Sequence, residues 1–207
     1  MLLQPNDHVL FYGDSITDAG RNSGVNGGLG VGYAALCAAG LLARFPEWNL
    51  TVTNRGTSGN RVYDLEARLE TDVLALQPNL VSILIGINDT WRRYDRAIAS
   101  PIDEFQHCYR RLLISLVETL GARVVICEPF LLPIPDDRRA WREDLDPRIT
   151  ACRELAREFN LTYVPLDGLF AAASTRVPLE YWLPDGVHPS LAGHGLIAEH
   201  WLRAVAG

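Results

Sequence analysis

Short apolar runs alternate along this chain with longer segments of helical periodicity, and this alternation restricts the fold more than any other feature. The runs are Val9–Tyr12, Leu50–Thr53, Leu80–Ile85, Arg123–Cys127 and the weaker Leu161–Val164. Leu80–Ile85 is apolar almost throughout, the pattern of a strand covered on both faces. Between the runs, Val62, Leu65, Leu69, Val73 and Leu76 fall on one helical face. Phe105, Leu112, Leu113 and Leu116 do the same, as do Ile149, Cys152, Leu155, Ala156 and Phe159. Ala192–Val205 reads as a closing helix. Strands separated by helices imply parallel β-α-β units, hence an α/β fold with one sheet flanked by helices. Pro129–Pro147, with four prolines and several charges, reads as a long loop too short for a second domain. Residues 1–207 are therefore expected to form one domain.

The bulk properties narrow the partners. A net charge of −6 lacks the basic surplus that neutralises phosphates, so no nucleic-acid partner is expected. No stretch approaches the roughly 18 apolar residues of a membrane span. The first residues, MLLQPNDHVLFYGDS, lack a basic segment followed by a long apolar one. A cytoplasmic protein is the default expectation; a secreted form with its signal removed stays open. Cys37, Cys108, Cys127 and Cys152 are widely spaced in apolar segments and read as buried free thiols.

Unusual polar residues collect at the strand ends, where ligands bind in open parallel sheets. Gly13-Asp14-Ser15-Ile16-Thr17-Asp18 follows the first run. Asn54-Arg55-Gly56-Thr57-Ser58-Gly59-Asn60 follows the second, and Gly86-Ile87-Asn88-Asp89 the third. Asp185-Gly186-Val187-His188-Pro189 stands near the C-terminus. A carboxylate three residues before a histidine can hold one ring nitrogen and leave the other to face a nucleophile. Ser15, Asp185 and His188 therefore form a candidate nucleophile, orienter and base. Acyl transfer also needs donors where charge develops on the carbonyl oxygen. The Ser15 N–H, the Gly56 N–H and the Asn88 side-chain amide are the candidates.

GDS at Ser15, the glycine at Gly56, G-x-N-D at Asn88 and D-x-x-H at His188 resemble, in order, the four sequence blocks of SGNH (GDSL-type) hydrolases. The resemblance spans Phe11 to about His194. It implies a flavodoxin-like three-layer α/β/α sandwich, a Ser-His-Asp triad and an oxyanion hole at Ser15, Gly56 and Asn88. The stretches FYGDSITDAGR, NRGTSGNRVYDL, GINDTWRRYD and DGVHPSLAGH are similar to carbohydrate acetylesterases acting on xylan or xylo-oligosaccharides. The implied partner is thus a small-molecule or oligosaccharide ester, and a homo-oligomer is compatible with the sequence.

Trp91, Arg92 and Trp182 are candidate substrate contacts, because aromatic faces stack on sugar rings and guanidinium groups bind hydroxyls. The family resemblance implies a structural role for Asp14, holding the nucleophile loop through backbone hydrogen bonds. No glycine-rich phosphate loop follows a strand, so no nucleotide cofactor is expected. His188, His194 and His200 recur every six residues, about 240° apart around a helix, and offer no zinc set. Two other classes stay open: a metal-dependent phosphatase built on Asp14 or Asp18, and a catalytically silent carbohydrate-binding protein. Among esterases, a thioesterase, lysophospholipase or short-chain lipase also fits.

Overall fold

A computed structural model describes residues 1–207. Five strands form one sheet: β1 (His8–Gly13), β2 (Thr51–Gly56), β3 (Leu80–Leu84), β4 (Arg123–Cys127) and β5 (Thr162–Val164). Their order is β2-β1-β3-β4-β5 and every pairing is parallel. Nine α-helices accompany them: α1 (Ser15–Asp18), α2 (Tyr33–Arg44), α3 (Val62–Asp72), α4 (Ile87–Arg96), α5 (Ile102–Ile114), α6 (Arg142–Glu158), α7 (Leu166–Ala173), α8 (Leu179–Trp182) and α9 (Leu191–Ala206).

The two-residue period of a strand sends neighbouring side chains to opposite faces. In β1, Val9 and Phe11 join a core that includes Tyr33, Cys37 and Leu41 of α2 and Ile197, Trp201 and Val205 of α9. Leu10 and Tyr12 join the opposite core with Leu65 of α3, Leu112 of α5 and Leu155 of α6. Two cores divided by one sheet make the three-layer α/β/α sandwich. The fully buried Trp201 donates its indole N–H to Ser82 Oγ, 2.9 Å away on β3. All four cysteines are buried and free.

All five expected strands are present, with ends shifted by at most three residues. Two expectations need correction. Gly86-Ile87-Asn88-Asp89 is not a loop, because α4 starts at Ile87 and carries Asn88, Trp91 and Arg92. Pro129–Pro147 is not a loop throughout. A 3₁₀ turn covers Asp136–Trp141 and α6 begins at Arg142, with Pro147 inside it. Proline in a helix interior removes a hydrogen bond and usually costs about 3 kcal/mol. Here the first turns are held from the side. Arg148, fully buried, donates to Asp144 Oδ2 (3.0 Å), Thr90 Oγ1 (3.2 Å) and the Ser100 carbonyl (2.6 Å).

The strand order reverses between β1 and β3, and such a reversal opens a crevice at the carboxyl edge. Gly13 is level with Gly56 on one side and Leu84 on the other. The segments after β1, β2 and β3 therefore emerge side by side from one edge. A Cβ on Gly13 would lie 2.4 Å from both the Leu84 carbonyl oxygen and Thr17 Oγ1, so no larger residue fits between the strands there.

Candidate active site

Ser15 opens α1, a single turn directly after β1. Asp14 caps it, accepting the Ile16 N–H at 3.0 Å. The first N–H groups of a helix have no partner within it, so the Ser15 N–H stays available at the crevice. Ser15 Oγ lies 3.0 Å from His188 Nε2. His188 Nδ1 lies 2.7 Å from Asp185 Oδ2, and Asp185 Oδ1 accepts the backbone N–H of His188 (2.7 Å) and of Val187 (2.9 Å). The ring proton thus sits on Nδ1 toward the carboxylate, and Nε2 is free to accept from the serine.

Electrostatics follow from this turn. Burial opposes ionisation of Asp185, but the hydrogen bonds from the His188 ring and from two backbone N–H groups outweigh it. They hold the carboxyl well below the ordinary range. The Asp185 hydrogen bond raises the His188 pKa; burial and the charge of Arg138 oppose the rise, and Asp14 adds to it. His194 differs. Burial and the His188 charge push it down to about 4, and its Nδ1 accepts the Tyr33 N–H at 3.1 Å, the bonding of a neutral structural histidine.

The loop carrying the base has a stereochemical requirement of its own. Gly186 has φ +82°, and a Cβ there would fall 2.2 Å from the Ile134 carbonyl oxygen and 2.5 Å from that of Leu132. Leu132 also donates its N–H to the Gly186 carbonyl at 2.9 Å. The segment after β4 is thus the floor on which the Asp185–His188 turn rests.

Asn88, 2 % exposed, lies in the first turn of α4. Its Nδ2 donates to the Asn60 carbonyl at 3.1 Å, and its Oδ1 accepts from Arg92 Nη2 at 3.2 Å. Both ends of the amide are fixed, and one Nδ2 hydrogen remains. Arg92 is paired with Asp95 as well, and its guanidinium braces the Asn88 amide. Behind Asn88, the buried Asp89 accepts from the Val62 N–H (3.2 Å) and Ser100 Oγ (3.1 Å). Burial raises its pKa to about 6, against the opposing charge of Arg148.

The expectation for Gly56 is also corrected. Its N–H donates to Asn54 Oδ1 at 2.8 Å, and a Cβ on Gly56 would lie 2.2 Å from the Asp18 nitrogen. Gly56 is a close-packing glycine, turned toward α1. Gly59 differs on each count. It is exposed, has φ +84°, has nothing within 4 Å of a Cβ position, and its N–H has no partner in the chain. Its neighbours are anchored: Ser58 donates its N–H (3.2 Å) and Oγ (2.8 Å) to Asp18 Oδ2, and the Asn60 carbonyl holds Asn88. Sequence reasoning missed Gly59, although the N-x-G-x-x-G spacing contains it. Asp18, considered above for phosphatase chemistry, is the clamp of this loop.

Trp91 lies on α4 with its ring centroid 5.8 Å from that of His188. Trp182 packs edge-on against Tyr181, and its carbonyl accepts the Ser190 N–H at 2.9 Å. No helix is long and apolar enough to cross a membrane.

Known proteins resemble this chain over nearly its whole length. Residues 11–196 match the model of the GDSL-like lipase/acylhydrolase family. An acetylxylan esterase from Geobacillus stearothermophilus is 36% identical over 99% of this chain and 96% of its own length. A crystal structure of an acetylxylan esterase from that organism superposes with a TM-score of 0.91 at 34% identity, covering 100% of this chain and 97% of the other. A GDSL-like lipase candidate from Parabacteroides merdae superposes with a TM-score of 0.94 at 37% identity, covering 99% and 98%. With a family match over most of its length and relatives aligned end to end, this chain belongs to the GDSL-like lipase/acylhydrolase family and is a carboxylic-ester hydrolase.

Proposed function

We propose that this esterase removes acetyl groups from O-acetylated carbohydrate, xylo-oligosaccharides being the preferred class, through a covalent acyl-enzyme on Ser15. The Ser15–His188–Asp185 chain, with contacts of 3.0 and 2.7 Å, is the observation that carries the mechanism. His188 Nε2 takes the Ser15 proton as Oγ attacks the ester carbonyl. The resulting imidazolium is stabilised by Asp185 and returns the proton to the leaving sugar oxygen. A water activated by the same nitrogen then releases acetate. The oxyanion is received by the Ser15 N–H, the remaining Asn88 Nδ2 hydrogen and the free N–H of Gly59.

Support for the substrate class comes from the relatives. Solved structures of the acetylxylan esterase from Geobacillus stearothermophilus include two catalytic mutants, a serine-to-alanine and a histidine-to-alanine change. The segments after β1, β2 and β3 are polar and glycine-bearing, without a long apolar lid to shelter a fatty chain. Initial rates on acetylated xylo-oligosaccharides, aryl esters from acetate to octanoate, and acyl-CoA test the reading, with Ser15→Ala as control. Acetyl esters should turn over fastest and the control should be inactive. Faster hydrolysis of octanoate would overturn the acetylesterase reading and leave the triad intact.

A further inference from the structure

Beside the triad lies a second cleft, of about 330 Å³, lined by Trp91, Tyr94, Asp95, Asp137, Arg138 and Trp141. Its size falls at the lower end of the range for small-molecule sites. Trp91 is the wall it shares with the catalytic base, since the same ring stands against His188. Tyr94 stacks on Trp141 with centroids 5.2 Å apart and planes 13° from parallel. Broad aromatic faces beside carboxylates and a guanidinium suit a ligand with apolar ring faces and hydroxyl edges, which describes a pyranose.

Arg138 is the singular member. Its guanidinium carbon lies 4.5 Å from the ring centroids of both Trp91 and Trp141. Its Nη1 is buried and has no hydrogen-bond partner. The arginines around it are engaged: Arg92 with Asp95, Arg93 with Glu143 and Asp144, and Arg142 with Asp167. Arg138 forms no ion pair. Buried donors in folded proteins are nearly always satisfied, and of the few left without a partner, Arg55 Nε, Tyr109 Oη and Trp182 Nε1 among them, Arg138 Nη1 is the one in this cleft. Two tryptophan rings pack on the guanidinium, so the group is held in place before any ligand arrives.

We propose that this cleft is the leaving-group subsite, where a sugar ring of the alcohol portion stacks on Trp91 or Trp141 and accepts a hydrogen bond from the Arg138 guanidinium. The proposal rests on the carbohydrate reading above and adds where the sugar lies and which donor selects it. Arg138 is a substrate-positioning residue. Its charge also acts on the base, lowering the His188 pKa, so one side chain links sugar binding to the pH at which the base is neutral.

The test compares the wild type with Arg138→Met, which keeps an unbranched apolar stem, and Arg138→Lys, which keeps the charge. Substrates are acetylated xylo-oligosaccharide and methyl acetate, whose leaving group is too small to reach the cleft. Inhibition of methyl acetate hydrolysis by unacetylated xylotriose is measured alongside, with the melting temperature. Loss of a charge-assisted hydrogen bond predicts about a tenfold or greater rise in KM for the sugar ester and in the xylotriose inhibition constant. The ratio of kcat/KM for sugar ester over methyl acetate should fall accordingly, and Arg138→Lys should not restore it. On methyl acetate, the acid limb of the Arg138→Met profile should move to higher pH, which a purely structural role would not produce. Equal losses on both substrates, or an unchanged inhibition constant, would overturn the subsite. Failure of the wild type to hydrolyse sugar acetates overturns the carbohydrate reading itself, a separate outcome read before any variant is made.

Discussion

The two halves of the active site are built in opposite ways. On the nucleophile side, Ser15, Gly59 and Asn88 come from three segments of the chain. They are held by buried or partly buried bridges: Asp18 to Ser58, Asn54 to Gly56, and Asn88 to Asn60. On the base side, Asp185 and His188 share one turn, joined by three hydrogen bonds within four residues and still nearly half exposed. The lesson concerns what each half must withstand. Oxyanion donors must already point to where charge will develop, so their orientation is fixed from several directions. A proton acceptor needs chiefly its tautomer and its reach, which one carboxylate supplies.

The largest test of this contrast is to remove the base. His188→Ala should lower kcat by about 10⁴ or more, close to the effect of Ser15→Ala, because the two groups act as a unit. The melting temperature should hardly change, since the base turn is local and peripheral. A variant that unfolds instead would show that this turn also supports the fold.

Breaking the other half comes next. Asn88→Ala should cost about 10²–10³ in kcat, roughly 3–4 kcal/mol, with little change in KM. It also leaves the Asn60 carbonyl and Arg92 without their partner, so the melting temperature should fall as well. Normal turnover in the folded fraction would reduce Asn88 to a structural bridge.

A smaller effect separates the two glycines. Gly56→Ala forces a Cβ to within 2.2 Å of the Asp18 nitrogen, backbone against backbone. Overpacking of this kind costs about 1–3 kcal/mol, seen as lost thermal stability. Gly59→Ala meets nothing and incurs mainly the strain of its positive φ, about 1 kcal/mol. If Gly56→Ala melts normally and loses turnover, the original expectation for Gly56 is restored.

The smallest effect on turnover concerns Asp14, the buried carboxylate that caps α1 beside Ser15. It is fully buried with Oδ2 unpartnered, and burial pushes its pKa up to about 7. A carboxyl whose folded pKa lies above its unfolded value binds more protons when folded. Stability therefore falls as pH rises from 3.8 toward about 7. Asp14→Asn should remove this component, so the variant gains on the wild type between pH 4 and pH 7 in denaturant titrations. Its neutral side chain should also lower the His188 pKa, moving the acid limb of activity to lower pH. An unmoved limb would show that the Asp14 charge does not reach the base.

Much of the molecule was legible from the chain alone. Apolar period and run length located all five strands, most plainly β1, β3 and β4, whose burial on two faces leaves a signal no loop imitates. The Asp185–His188 pair was equally readable, since a three-residue separation closes into one turn whatever surrounds it. The helix at Ile87 was not visible. Its first turn is polar, and the partners that satisfy Asn88 and Asp89 lie at Asn60, Val62 and Ser100.

What the sequence by itself determined is the order of strands and helices, the serine at a strand end and the histidine with its carboxylate. Each depends on periodicity or on neighbours a few residues apart. Tertiary structure alone decided which glycine offers its N–H, that Arg92 serves Asn88, and that Arg138 stands between Trp91 and Trp141. The packing of Gly56 against Asp18 and the approach of Trp91 to Arg138 are contacts between segments distant along the chain. Side-chain identity sets what a donor or a ring can do, and only the approach of a second segment decides whether that capacity is already engaged.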